Sequence, residues 1–167
     1  MAPPPSEDLN ELAFSVAPRP GRRPVRPDII SSWERCLQAG LRPGRLEIPF
    51  LPDLGDGDPL RQAAAPIMDQ VSEDLDGMGV ALLLTDERGL VVDRRATERR
   101  MRIALDRVEL APGADYSEEH AGTTAVATAI AQRRPSTVVG SEHFIEALGR
   151  MGWSRNERRS RQCQAPH

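Results

Sequence analysis

The run Pro112-Gly113-Ala114-Asp115-Tyr116-Ser117-Glu118-Glu119-His120-Ala121-Gly122-Thr123-Thr124 restricts the fold of this chain more than any other stretch. Proline and glycine at 112–113 break any regular element. Ser117 then stands where a helix N-cap belongs, with Glu118 and Glu119 near the positive end of the helix dipole. A helix is predicted from Ser117 to about Arg134, where Pro135 stops it. Ala121 to Ala131 is almost wholly small or apolar, so this helix should pack on more than one side. Gly122 and the threonines let a backbone or a ligand come close. Amides at the start of such a helix suit an anionic or carbonyl group.

Upstream, Ile29, Ile30, Trp33, Cys36 and Leu37 recur at helical spacing. They predict a helix over 28–40, with Asp28 able to cap it and Gly40 at its C-terminus. Three prolines and three glycines make 41–58 a loop, lying along a surface through Leu46, Ile48, Phe50, Leu51 and Leu54. A second helix is predicted over 59–76, capped by Asp58, begun by Pro59 and bent at Pro66. Its stripe of Leu60, Ala64, Ile67, Met68, Val71 and Leu75 suits either the chain's own sheet or a second copy. Trp33, Leu37, Ile67 and Val71 are the expected dimer-helix residues. Gly79–Asp86 reads as a buried strand, and with Leu90–Asp93 it makes an antiparallel hairpin around Asp86-Glu87-Arg88-Gly89. A short arginine-rich helix follows over 97–105, with Met101, Ile103 and Leu105 inside. Ser136–Gly140 is predicted as a strand. A last helix starts at Ser141, with Phe144, Ile145 and Leu148 inside.

The 167 residues suffice for one domain. Residues 1–27 are rich in proline and arginine and are expected to be a disordered arm. Residues 152–167 have no apolar period and read as a basic unstructured tail. Residues 150–167 hold five arginines and one acid, so the net charge of −3 divides into +4 there and −7 elsewhere. The folded part is therefore no nucleic-acid surface. Cys36 and Cys163 form neither a metal-ligand spacing nor a disulfide framework. No apolar run approaches the ~20 residues of a membrane span, and a cytoplasmic protein is expected. His120 and His143 fit no metal-ligand pattern, and Glu118 and Glu119 point in different directions on a helix, so no acid/base pair forms. No enzyme, no metal and no cofactor are expected.

The order helix, long helix, hairpin, helix, loop, helix, strand, helix resembles the first two-thirds of a GAF domain, a small-ligand sensory fold. Arg26-Pro27-Asp28-Ile29-Ile30-Ser31-Ser32-Trp33-Glu34-Arg35-Cys36, Leu83-Leu84-Thr85-Asp86, Ser117-Glu118 with Gly122-Thr123, and Gly140-Ser141-Glu142-His143-Phe144 are similar to segments of the acetoin-operon-activator-type regulators. These are bacterial enhancer-binding transcription factors that work with an alternative sigma factor. Where that group carries an asparagine and a glycine-rich run, this chain has Thr124, Ala125, Val126 and Ala127.

The resemblance implies an α+β fold: an incomplete GAF-like domain over 28–151, with an antiparallel sheet, flanking helices and long N-terminal helices. It implies a sensory module that binds a small effector and passes the signal through its helices. Ser117, Glu118, His120, Gly122, Thr123, Thr124, His143 and Phe144 are the expected ligand-binding residues. A homodimer is expected, with transcription machinery reached through a missing or separate domain. The group's pattern stops near Met151, which is read as truncation, by a frameshift for instance. The alternatives are a non-sensing dimerisation module and a non-functional fragment.

Overall fold

The computed structural model describes residues 25–51 and 58–150. Most of the arm, Leu54 and the tail from 151 onward lie outside the described residues. Helix α1 spans Pro27–Gln38. Proline at its first position needs no hydrogen-bond partner and has a helical φ already fixed. Asp28 lies inside the first turn and Arg26 occupies the cap position without a side-chain cap, so Asp28 is no cap. The other end is closed by the expected glycine. Gly40 has φ +83°, its N–H donates to Leu37 O, and the Leu41 N–H donates to Cys36 O, both at 3.0 Å. This pair of bonds satisfies carbonyls that the helix end leaves open. The buried face is Ile29, Ser32, Trp33 and Cys36, whereas Ile30 points to solvent.

Helix α2, Pro59–Asp74, is capped by Asp58, whose side chain accepts from Arg61 N at 2.8 Å. It leans on the hairpin of β1 (Leu82–Thr85) and β2 (Val91–Arg95). The strands are antiparallel, and the register shifts between Leu84 and Thr85. Val92 is thus the extra residue of a bulge, and both Val91 and Val92 are buried. The run 79–86 was expected to be buried throughout, yet every residue of β1 is only half-buried. Asp93 is buried and ionically matched, with both carboxylate oxygens within 2.6 Å of Arg95 Nη1.

Loop backbone extends the sheet. Val91 N donates to Ala114 O and Gly113 N to Val91 O, while Leu51 N donates to Gly113 O and Asp115 N to Pro49 O, all at 2.8–2.9 Å. The isolated bridges Phe50↔Ala114 and Leu90↔Asp115 mark the same pairing. The 41–51 loop therefore does lie along a surface, with Ile48 buried, but Phe50 and Leu51 remain exposed.

Helix α3, Arg99–Asp106, turns Leu105 inward, and Ile103, expected inside, faces out. The long helix predicted from Ser117 is instead two short ones, α4 (Glu118–Ala121) and α5 (Ala125–Gln132). Gly122 separates them at φ +66°, ψ −151°, a conformation open essentially only to glycine. Thr124 restarts the helix by accepting from Ala127 N at 3.1 Å. The strand predicted over 136–140 is irregular backbone. Its polar groups are taken locally, Thr137 O by the Arg26 guanidinium and Val139 N–H by Glu142 Oε2 at 3.0 Å. A 3₁₀ turn, Gly140–Glu142, precedes α6, Glu146–Gly149, so the last helix starts later than Ser141. Phe144, Ile145 and Leu148 are buried as expected.

The core joins α1, β2, the 105–116 segment and the 138–148 segment through Trp33, Tyr116, Phe144 and their neighbours. The result is the expected class, α+β with an antiparallel sheet and helices around it. Residues 25–26, assigned to the arm, belong to the fold. Val25 packs on the core, and Arg26 pairs with Glu142 at 3.4 Å.

Candidate functional site

Ser117 occupies the N-cap position of α4, but its hydroxyl meets His120 Nδ1 at 3.0 Å rather than a backbone amide. Asp115 organises the same turn: Oδ1 accepts from Ser117 N at 2.9 Å, and Oδ2 lies 3.1 Å from His120 Nδ1. The next residue, Glu118, reaches back to α1. Arg35 grips its carboxylate with two N–H donors at 2.6 and 2.8 Å, the paired geometry that gives charge-assisted bonds their strength.

A buried polar chain runs on from that ion pair. Ser32 Oγ donates to Glu118 Oε1 at 2.5 Å. A hydroxyl has one proton, so the 2.7 Å contact between Ser32 and Thr123 requires Thr123 to donate to Ser32. Cys36, 3.7 Å from Thr123 Oγ1, is then the donor at the far end. All protons point towards the carboxylate. Burial pushes the Cys36 thiol up to about 11, which keeps the proton that this order needs. Helix α1 is thus fastened to the α4 turn by hydrogen bonds as well as apolar contact.

The expected ligand residues differ in what holds them. Glu118 and Thr123 are occupied by α1. Gly122 and Phe144 pack on each other: a Cβ added at Gly122 would lie 3.1 Å from Phe144 Cβ, and Phe144 is fully buried. Thr124 is a helix cap. His120 lines a cleft of about 200 Å³ bounded by Gly40, Leu41, Arg42, Arg45, Glu47, Glu119 and His120. Arg45 is ion-paired with Glu47. Arg42 is exposed and has no side-chain partner among the described residues, and it brings a guanidinium to the cleft beside an imidazole. Sequence reasoning missed Arg42, Arg45 and Glu47, which lie in a loop read only for its packing. The glycine closing α1 was their one signal, because it turns the chain towards α4.

His143 does not line this cleft. Its Nδ1 meets Gly140 O at 3.1 Å, and burial holds its pKa below the ordinary 6.5. The folded state therefore binds this proton less readily than the unfolded state. Its contribution is complete above about pH 6.5 and is lost as pH falls through the lower folded value. Thermal melts between about pH 7 and pH 5.5 should show a falling melting temperature, with a shallower slope in His143→Gln; parallel slopes would refute this.

Trp33, expected on a dimer helix, lies inside the protomer, 1% exposed, with Nε1–H donating to Glu142 O at 2.9 Å. Leu37 and Val71 are half-buried within the protomer, while Ile67 is 67% exposed. Among the described residues no group of three or more His, Cys, Asp or Glu could hold a metal ion, and no helix is long and apolar enough to cross a membrane.

Residues 17–161 match the family described as MimR, N-terminal domain. The chain is 39% identical over 125 residues to the propane 2-monooxygenase operon transcriptional activator MimR of Mycolicibacterium goodii, covering 75% of this chain and 21% of that protein. It is 37% identical over 124 residues to the acetoin catabolism regulatory protein of Cupriavidus necator, covering 70% of this chain and 18% of that one. The chain thus spans about a fifth of the length of these curated relatives. Among solved structures, the E. coli DhaR(N)–DhaL complex contains a chain of similar fold, with a TM-score of 0.63 and 21% identity over 74% of this chain and 44% of that one.

Proposed function

The chain belongs to the MimR N-terminal domain family, and from that premise we propose that it is the sensory module of a bacterial transcriptional activator, responding to a small oxygenated effector held in the Arg42–His120 cleft. The relatives' names refer to a propane 2-monooxygenase operon and to acetoin catabolism. Propane has three carbons and yields a secondary alcohol when oxygenated at its second carbon, and acetoin is a four-carbon hydroxyketone, so a small oxygenated molecule is common to both. A guanidinium and an imidazole supply donors to such oxygens, and a volume of about 200 Å³ holds a molecule of that size.

One observation carries the reading. Glu119 and His120 line the cleft from the same turn whose Glu118 is tied to α1 by Arg35 and Ser32. An occupant that favours one position of α4 therefore biases α1 as well, which is how differential binding becomes a signal. A ligand at tenfold its Kd stabilises the fold by about 1.4 kcal/mol. That is a rise of roughly 4 °C for a domain of this size. Propan-2-ol, acetone and acetoin are the probes. At least one should raise the melting temperature of the chain, and Arg42→Ala and His120→Ala should abolish the rise. A flat response to all three, or a rise unchanged in both variants, would remove the effector reading.

A further inference from the structure

Two groups meet the same nitrogen of His120. Nδ1 lies 3.1 Å from Asp115 Oδ2 and 3.0 Å from Ser117 Oγ. An ionised carboxylate only accepts hydrogen bonds, so the contact with Asp115 requires a proton on Nδ1. Ser117 Oγ then accepts from the same N–H, because that nitrogen has no lone pair left for a hydroxyl proton. Asp115 is itself held in place. Its other carboxylate oxygen accepts from Ser117 N at 2.9 Å, and its backbone N–H donates to Pro49 O at 2.9 Å.

A neutral imidazole carries one N–H. With that proton on Nδ1, Nε2 is a bare acceptor, and it is the ring nitrogen left for an occupant of the cleft that His120 lines. Nε2 donates only when the ring takes a second proton. Arg42, on the same cleft, has donors and no acceptor. With the ring neutral, the pair therefore offers one donor group and one acceptor. A hydroxyl answers both, since its oxygen accepts from the guanidinium while its proton goes to Nε2. A ketone oxygen answers only Arg42 and leaves Nε2 facing a second acceptor. Glu119, also on the cleft, is an acceptor and acts in the same sense.

We propose that Asp115 is a positioning residue that sets the class of effector: by fixing the tautomer of His120, it makes the cleft take alcohols and hydroxyketones in preference to simple ketones, a proposal that rests on the effector reading of that cleft. The orientation of an imidazole and the place of its proton follow from the bond that its other nitrogen makes. A site built to meet a hydroxyl rejects the analogue without one, because its own polar group is then left unpaired. Arg42 is exposed and His120 half-buried, so water competes. The preference should be about tenfold, the scale of one net hydrogen bond.

Nitrogen NMR of the full chain at about pH 8, where an imidazole is ordinarily neutral, reads the tautomer without any ligand, and His120→Gln identifies the signals. The Nδ1–H form is expected. An Nε2–H form, or a ring protonated on both nitrogens, would overturn the proposal and leave the effector reading standing. Titrations of propan-2-ol against acetone, and of acetoin against butan-2-one, then read the preference. The hydroxyl-bearing member of each pair should bind about tenfold more tightly. Asp115→Asn tests the role of the carboxylate. Asparagine keeps an oxygen for Ser117 N and turns its NH2 to Nδ1, which must then accept and leave the proton on Nε2. The variant should show the Nε2–H form, with its alcohol-to-ketone preference reduced about tenfold; loss of a merely structural group would weaken both members of a pair alike. Equal affinities within the pairs, or a preference unchanged in the variant, would overturn this proposal alone. No binding by any probe would overturn the effector reading and this proposal with it. If Asp115→Asn fails to fold, the tautomer and the preference of the parent still decide.

Discussion

Trp33→Ala should lower the unfolding free energy by about 4 kcal/mol, the range expected when a large buried aromatic leaves a cavity. Trp33 sits where α1 meets the 140–145 segment, and its indole N–H is the donor to Glu142 O. Alanine removes the ring's packing and leaves that carbonyl without this partner, and both losses act in the same direction. Natural domains hold only about 5–15 kcal/mol in all, so the variant should be marginal. Trp33→Phe keeps most of the volume and loses only the donor, and should cost about 1–2 kcal/mol. Urea melts at constant m-value measure both. A loss below about 1 kcal/mol for alanine would mean that the indole is no core anchor.

Gly122→Ala should cost about 3 kcal/mol. The backbone there lies in a region that costs a non-glycine residue about 1–3 kcal/mol, and the new methyl would press on Phe144. Phe144 cannot yield easily, because it is fully buried. Gly44→Ala is the matched control: no atom lies within 4 Å of its added Cβ, and its backbone does not require glycine. That variant should melt within about 0.5 kcal/mol of the parent. Equal, small effects at both positions would show that Gly122 carries no constraint.

These two residues also show where the sequence was legible and where it was not. Trp33 was readable as an anchor because its neighbours repeat at helical spacing, and α1, α2 and the hairpin all carry their boundary signals within a few residues. Gly122 was read as a place for close approach, but not as a helix break. Its effect depends on Phe144, which is distant in sequence, and the small residues on both sides look like one continuous helix. Thr137, Val138 and Val139 looked like a strand because β-branched residues favour one. Among the described residues no strand pairs with them, and Arg26 and Glu142 take two of their backbone groups.

The candidate site was legible only in part. Ser117, Glu118, His120 and Thr123 were singled out as ligand-binding residues, and the structure joins them to one another and to α1 by hydrogen bonds. Spacing alone could not tell which of them α1 would claim. Arg35, Ser32 and Cys36 answer that, and they come from a helix read only for its apolar face. Arg42 and Arg45 carry no local signature, since arginines in a proline- and glycine-rich loop are ordinary.

The pairing of residues 49–51 with 113–115 bears on the order of folding. The Asp86–Gly89 hairpin closes over a handful of residues, whereas the Phe50↔Ala114 bridge closes a loop of about sixty. Closure entropy grows as the logarithm of length, so the second event costs roughly 2 kcal/mol more before any contact offsets it. It also brings few backbone bonds in return. The hairpin is therefore the natural nucleus, and the 49–51 segment joins a sheet that already exists. The Arg42–Glu47 wall of the cleft lies just before that late-joining segment, so it completes only after the hairpin has formed.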